Sequence, residues 1–113
     1  LGHDVTVIDN LATGSLANLA SCRDRIRWIE GSVSDPAKLT EALEGVTGVF
    51  HQAAIPSVPR SVKEPLATQD SGEVATLRLL DQAVKAGVRR VVYAGSSSVY
   101  GDTPTLPKRE DMR

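Results

Sequence analysis

Val91-Val92-Tyr93-Ala94-Gly95-Ser96-Ser97-Ser98-Val99-Tyr100-Gly101 begins as a short apolar run and breaks off in glycine and three hydroxyls. The run from Val91 to Ala94 suits a strand buried on both faces of a parallel sheet. In an open sheet of that kind, ligands sit outside the carboxyl ends of the strands. Ser96, Ser97 and Ser98 would then stand at the mouth of a binding crevice. The plainer reading is a serine-rich turn whose hydroxyls satisfy backbone groups.

The upstream segments end in the same manner. Pro65 starts the longest helical pattern, which runs to about Ala86 and stops at Gly87. Along it Leu66, Val74, Leu77, Leu80 and Val84 recur at helical spacing. Before it, Gly48 to Gln52 reads as a strand. It opens into Ala53-Ala54-Ile55-Pro56-Ser57-Val58-Pro59, a loop that its two prolines keep extended. A helix from Pro36 to about Leu43 has Asp35 as its N-cap and Gly45 just past its end. Ile26 to Glu30 is a strand ending at Gly31-Ser32-Val33-Ser34. Asp4 to Asp9 is another, followed by Asn10, a loop through Gly14 and a short helical piece from Leu16 to Leu19. Strands joined by helices are parallel, with right-handed crossovers. The fold class is therefore α/β, with helices expected on both faces of the sheet.

The chain has 113 residues, 41% hydrophobic and 24% charged, which fits one modest globular domain. A formal net charge of −1 gives no electrostatic case for nucleic acid or an anionic membrane as partner. Cys22 is alone, so no internal disulfide or cysteine metal site is expected, and a reducing, cytoplasmic setting fits. No apolar run is long enough to span a bilayer, and no signal peptide is expected. Leu1-Gly2-His3 reads as the last turn of a helix, and Arg113 ends a loop rich in proline and charge. Both ends point to a segment of something longer.

Chemistry gathers at the strand ends. A carboxylate such as Asp9 can accept both hydroxyls of an adenosine ribose, and its charge repels a 2′-phosphate, which favours NAD over NADP. The alternative is a capping or merely solvated aspartate. Ala53-Ala54 lets backbone approach a flat or charged ligand closely, or else serves tight packing. His51 could be a base or metal ligand, but a histidine hydrogen-bonded to neighbouring backbone is the favoured reading. The histidines and carboxylates show no metal-ligand spacing, so no metal is expected. Arg23, Arg25 and Arg27 read as a solvated edge, and Arg60 and Lys63, on the loop after Ala54, as facing water.

Four stretches together resemble the NAD-dependent epimerase/dehydratase family, the extended short-chain dehydrogenases/reductases that act on nucleotide sugars. They are Val7-Ile8-Asp9-Asn10-Leu11 with Thr13-Gly14; Gly31-Ser32-Val33-Ser34-Asp35 with Leu39; His51-Gln52-Ala53-Ala54 with Val58, Ser61 and Pro65; and Ser96-Ser97-Ser98-Val99-Tyr100-Gly101. The resemblance implies a Rossmann-like domain with NAD as cofactor and a nucleotide sugar as substrate. It also implies roles. Asp9 would hold the adenosine ribose, with Asn10 and Gly14 near the ribose or pyrophosphate. Val33 would meet adenine through its backbone. Gln52, Ala53 and Ala54 would line the cofactor, and Ala94 its nicotinamide end. Ser96, four residues before Tyr100, takes the place of the catalytic serine or threonine, whose hydroxyl bonds the substrate oxygen while a tyrosine moves the proton.

The chain departs from that pattern in several places. Ser32 stands where the family usually has Asp, weakening an adenine contact. Gly72 stands where Asn is usual, at a helix cost of about 1 kcal/mol against Ala. Glu73 replaces a common Val and puts charge on an expected buried face. No glycine-rich loop precedes Asp9, and no Tyr-x-x-x-Lys pair exists: Ser97 is four after Tyr93, and Pro104 four after Tyr100. The expectation is thus an incomplete NAD-binding Rossmann-like domain over 1–113, a partial doubly wound sheet with its first strand absent. That strand would lie between Asp4–Asp9 and Gly48–Gln52. Without it the edges there are open, which favours homo-oligomers. The isolated chain is expected to be inactive as an epimerase or dehydratase. The alternatives are a reductase on another alcohol, or a catalytically dead NAD(P)-binding or interaction module.

Overall fold

The computed structural model describes residues 2–55 and 57–112. Leu1, Pro56 and Arg113, which figured in the readings of the chain ends and the 53–59 loop, lie outside the described residues. Four short strands form: β1 (Thr6–Asp9), β2 (Arg27–Glu30), β3 (Gly48–His51) and β4 (Arg90–Tyr93). All pairing is parallel. Val7 stands opposite Trp28 in the β1–β2 pair, and Phe50 opposite Val92 in the β3–β4 pair. No ladder joins β1 to β3, so the sheet is two pairs with an interruption between them. The interruption falls where the family resemblance puts the missing strand.

Helix α1 (Pro36–Leu43) forms where its caps demand. The Asp35 carboxylate accepts from the N–H groups of Ala37 and Lys38, proline occupies the first turn, and Gly45 takes φ +71° beyond the end. Two further α-helices, α2 (Val58–Lys63) and α3 (Pro65–Gln69), lead into a π-helical turn, Asp70–Val74, and then α4 (Ala75–Lys85). The 65–85 run is thus continuous but interrupted by one wide turn. Helix α2 corrects the extended-loop expectation. The Ser57 side chain accepts from the N–H of Arg60, and Pro59 sits in the first turn, where its missing N–H costs nothing. Arg60 and Lys63 accordingly lie on a helix, and Arg60 pairs with Glu64 at 3.2 Å.

Leu39 and Leu43 of α1 and Leu79 of α4 are buried together, with Val49, Val88 and Val91 packed against them. Burying each leucine contributes about 1.5–3 kcal/mol. On the long helix the buried positions are Ala75, Leu79 and Ala83. The expected stripe lies elsewhere: Leu66, Leu77, Leu80 and Val84 are exposed, as is Glu73. The helix is apolar on two faces, and the helices of this chain cover only one. The sheet shows the same asymmetry. Val49 and Val91 pack inward, while Phe50 and Val92, next along the same strands, are exposed. β4 is therefore half-covered rather than buried on both faces, and among the described residues nothing packs over Phe50. No helix among the described residues is long and apolar enough to cross a membrane.

Candidate functional site

The carboxyl ends of β1, β2 and β3 open on one cavity of about 140 Å³. Asp9 and Asn10 form one wall, Ser32 and Val33 a second, and Gln52 to Ala54 a third. Parallel pairing explains the convergence, because it sends every strand's exit loop to the same end of the sheet. Ser71, on the π-helical turn, completes the lining. Sequence reading gave it no role, and only the packing of the long helix brings it here.

Asp9 shapes its own loop. One carboxylate oxygen accepts from the N–H of Leu11 at 2.6 Å, and Leu11 takes φ 56°, a left-handed conformation that costs a leucine energy. Gly14 does not line the cavity but backs the carboxylate: a Cβ built there would stand 3.7 Å from Asp9 Oδ1. The Ser32 hydroxyl accepts from the N–H of Ser34 and so holds the turn that presents Val33.

A second cavity, about 650 Å³, lies on the far side of Gln52-Ala53-Ala54. Ala94 and Ser96 line it, with His51, Gly72, Tyr93 and Leu77. Gln52, Ala53 and Ala54 thus separate two cavities, with Asp9, Asn10 and Val33 in one and Ala94 and Ser96 in the other. The Ser96 hydroxyl also accepts from the N–H of Ser98 at 3.1 Å and donates to Ser98 Oγ at 2.9 Å. The backbone-satisfying role of the serine turn and its position at a crevice therefore coexist. Ser97–Tyr100 itself is a 3-10 turn.

His51 is buried, 8% exposed, and its Nε2 lies 3.0 Å from Thr76 Oγ1. Its partner is a side chain of the long helix, not the neighbouring backbone that sequence reading favoured. Desolvation holds its pKa below the ordinary histidine value. No cluster of metal-ligating side chains occurs among the described residues. Arg23 stacks over the Trp28 ring at 5.5 Å, and Arg27 reaches Glu41 and Glu44, so these arginines dress the outer strand.

The family model for the NAD dependent epimerase/dehydratase family matches residues 1–113. The chain belongs to that family. A UDP-glucose 4-epimerase of Klebsiella pneumoniae is 33% identical, covering 94% of this chain and 81% of the relative. The UDP-glucose 4-epimerase of Mycolicibacterium smegmatis is 40% identical over 98% of this chain but 37% of its own length. Among solved structures, the dTDP-glucose 4,6-dehydratase of Streptomyces venezuelae with NAD bound superposes with a TM-score of 0.85 at 34% identity. It is covered over 97% of this chain and 35% of its own. The UDP-glucose 4-epimerase of Bifidobacterium longum, in complex with NAD+ and UDP, gives a TM-score of 0.84 at 28% identity. The chain spans about a third of the length of most such epimerase/dehydratase relatives, and its parallel α/β fold is a partial Rossmann-like one.

Proposed function

We propose that residues 1–113 are the adenosine-binding and serine-bearing segment of an NAD-dependent nucleotide-sugar epimerase or dehydratase, an incomplete Rossmann-like domain by themselves. The observation that supports this most is the shared wall: Gln52, Ala53 and Ala54 border both the cavity of Asp9 and Val33 and the cavity of Ala94 and Ser96. A dinucleotide needs two such compartments, and two of the three residues on their shared border carry only a methyl side chain. The donor set fits the adenosine half of NAD. Asp9 offers a carboxylate to paired hydroxyls, the Val33 turn a backbone edge to the base, and Asn10 flanks the ribose or pyrophosphate, while Gly14 stands behind the Asp9 carboxylate.

When bound, NAD would supply a reversible hydride acceptor at a sugar carbinol. The chain's own contribution there is the Ser96 hydroxyl, which on substrate binding would turn its one proton from Ser98 Oγ to the substrate oxygen. It is not a base: a serine hydroxyl needs a neighbouring base for activation, and the sequence holds no Tyr-x-x-x-Lys pair. Residues 1–113 alone are therefore inactive. They also bind NAD weakly, because losing two or three charge-assisted bonds to the pyrophosphate, at roughly 1.5–3 kcal/mol each, weakens binding by several orders of magnitude. The unpaired edges of β1 and β3 favour self-association into oligomers.

Calorimetric titration with NAD, light scattering, and an epimerase assay with UDP-glucose test this together. The expected results are no turnover, an NAD affinity weaker than millimolar or near it, and a mass above that of one chain. Turnover, or micromolar NAD binding by a monodisperse monomer, would overturn the reading.

A further inference from the structure

The cavity between Asp9, Val33 and Ser71 is held to shape by a contact that no local motif announces. Arg78, on α4, donates from one guanidinium nitrogen to two acceptors: the Ser34 carbonyl at 3.0 Å and the Asp70 carboxylate at 3.2 Å. Ser34 answers with its hydroxyl, which donates to the Asp70 carbonyl at 3.2 Å. The three residues close a ring between the turn after β2 and the π-helical turn of the long helix. Ser32 and Val33 immediately precede the clamped carbonyl, and Ser71 immediately follows Asp70; all three line the cavity. The ring therefore sets the distance between two of its walls.

Other backbone bonds hold that turn within itself or to the end of the neighbouring strand β1. The N–H of Asp35 donates to the Ser32 carbonyl, that of Ser34 to the Ser32 hydroxyl, and that of Gly31 to the Asp9 carbonyl. None of these fixes where Val33 stands relative to the long helix. The Arg78 contact does, through a charge-assisted bond to a carbonyl, and such bonds are stronger than neutral ones.

We infer that Arg78 is a positioning residue for nucleotide recognition: through Ser34 and Asp70 it holds the Val33 turn at the separation from Ser71 that an adenosine group requires. The inference rests on the proposed NAD reading for its ligand, but not for the clamp. Arg78 touches no cavity atom itself and is not a catalytic residue. Its ion pair with Asp70 is about half exposed, so its effect falls on the geometry of the turn more than on overall stability.

The test uses the 113-residue chain and its Arg78→Ala and Arg78→Lys variants, with amide hydrogen exchange and titrations of AMP and NMN followed by NMR. Arg78→Ala should speed exchange at the amides of Ser34 and Asp35 by about tenfold, the loss of one charge-assisted bond, and leave those inside α1 unchanged. AMP binding should weaken by a similar factor, and any NMN binding should not change. Arg78→Lys, which keeps a charged donor on a shorter side chain, should restore part of both effects. Unchanged exchange at Ser34 and Asp35 overturns the clamp, as does a uniform rise across α1, which would mark general destabilisation. Faster exchange with unaltered AMP affinity overturns the role in recognition. AMP is titrated to tens of millimolar; faster exchange in a chain whose wild type shows no AMP-induced shifts even there instead overturns the NAD reading and leaves the clamp standing.

Discussion

His51 Nε2 lies 3.0 Å from the hydroxyl of Thr76, and that hydroxyl donates a hydrogen bond to the Gly72 carbonyl at 2.8 Å. A hydroxyl has one proton, so this chain of bonds fixes His51 with its proton on Nε2. It also ties the end of β3 to the π-helical turn. Burial lowers the His51 pKa in the folded state. Below about pH 6.5, the ordinary histidine value, the unfolded chain then binds more protons than the folded one. Stability should be complete above that pH and should decline as pH falls through the lowered folded value. Urea midpoints measured from pH 7.5 to 5 should show the decline, and His51→Gln should flatten it. An equal slope in the variant would locate the effect elsewhere.

Asp9 joins two tasks, the Leu11 turn and the proposed ribose contact. Asp9→Asn keeps an oxygen for the Leu11 N–H and removes the charge. It should therefore narrow the preference for NAD over NADP while leaving the fold intact. Asp9→Ala should narrow it too and weaken both cofactors, since the left-handed Leu11 loses its anchor. Competitive titrations of the two cofactors on a chain extended at both ends measure this. A wild type that prefers NADP would contradict the reading of Asp9.

Ser96 and Ser98 are bonded to one another, yet only Ser96 lines the larger cavity. In a chain extended to carry a Tyr-x-x-x-Lys pair, Ser96→Ala should lower kcat by roughly one to three orders of magnitude with little change in cofactor affinity. Ser98→Ala should do much less. Steady-state kinetics on both variants distinguishes them, and equal losses would mean the wrong hydroxyl was chosen.

Gly72 lies in the π-helical turn without a positive φ, and a Cβ built on it meets nothing within 4 Å. Gly72→Ala should therefore stabilise the chain by about 0.5–1 kcal/mol through reduced freedom of the unfolded state. A denaturation midpoint that falls instead would mean the wide turn depends on glycine.

Capping chemistry made α1 legible. Asp35 and Pro36 announce its start, Gly45 its end, and no distant contact is needed to form it. The strands were legible in kind and order because their apolar runs stop at small or polar residues. The long helix was legible as a helix but not in its orientation. Leu77, Leu80 and Val84 are larger than Ala75 and Ala83, so hydropathy points to the stripe that the fold leaves exposed. Close helix packing selects the small residues instead. Helix α2 is hidden in the sequence because Pro59 reads as an extender, although after a serine cap it sits in the first turn of a helix. Asp9, Val33 and Gln52-Ala53-Ala54 could be named from strand-end position alone. Ser71, Thr76 and Arg78 could not: they reach the site from the body of a helix, and Arg78 meets Ser34 across 44 positions of sequence.

The break between β1 and β3 bears on cooperativity. A continuous ladder makes opening at one strand costly for its neighbours, so that a sheet unfolds as a unit. Among the described residues the β1–β2 pair and the β3–β4 pair share no ladder, and α1 and the Ser34–Asp70–Arg78 ring bridge them. The β3–β4 pair rests on the leucine cluster, so hydrogen exchange should show it protected up to global unfolding and the β1–β2 pair opening below that point as a separate cooperative unit. Its release would dismantle the Asp9 end of the crevice while the Ser96 end stayed folded, which makes occupancy of the one end, and not the state of the whole chain, the quantity that a bound nucleotide would govern.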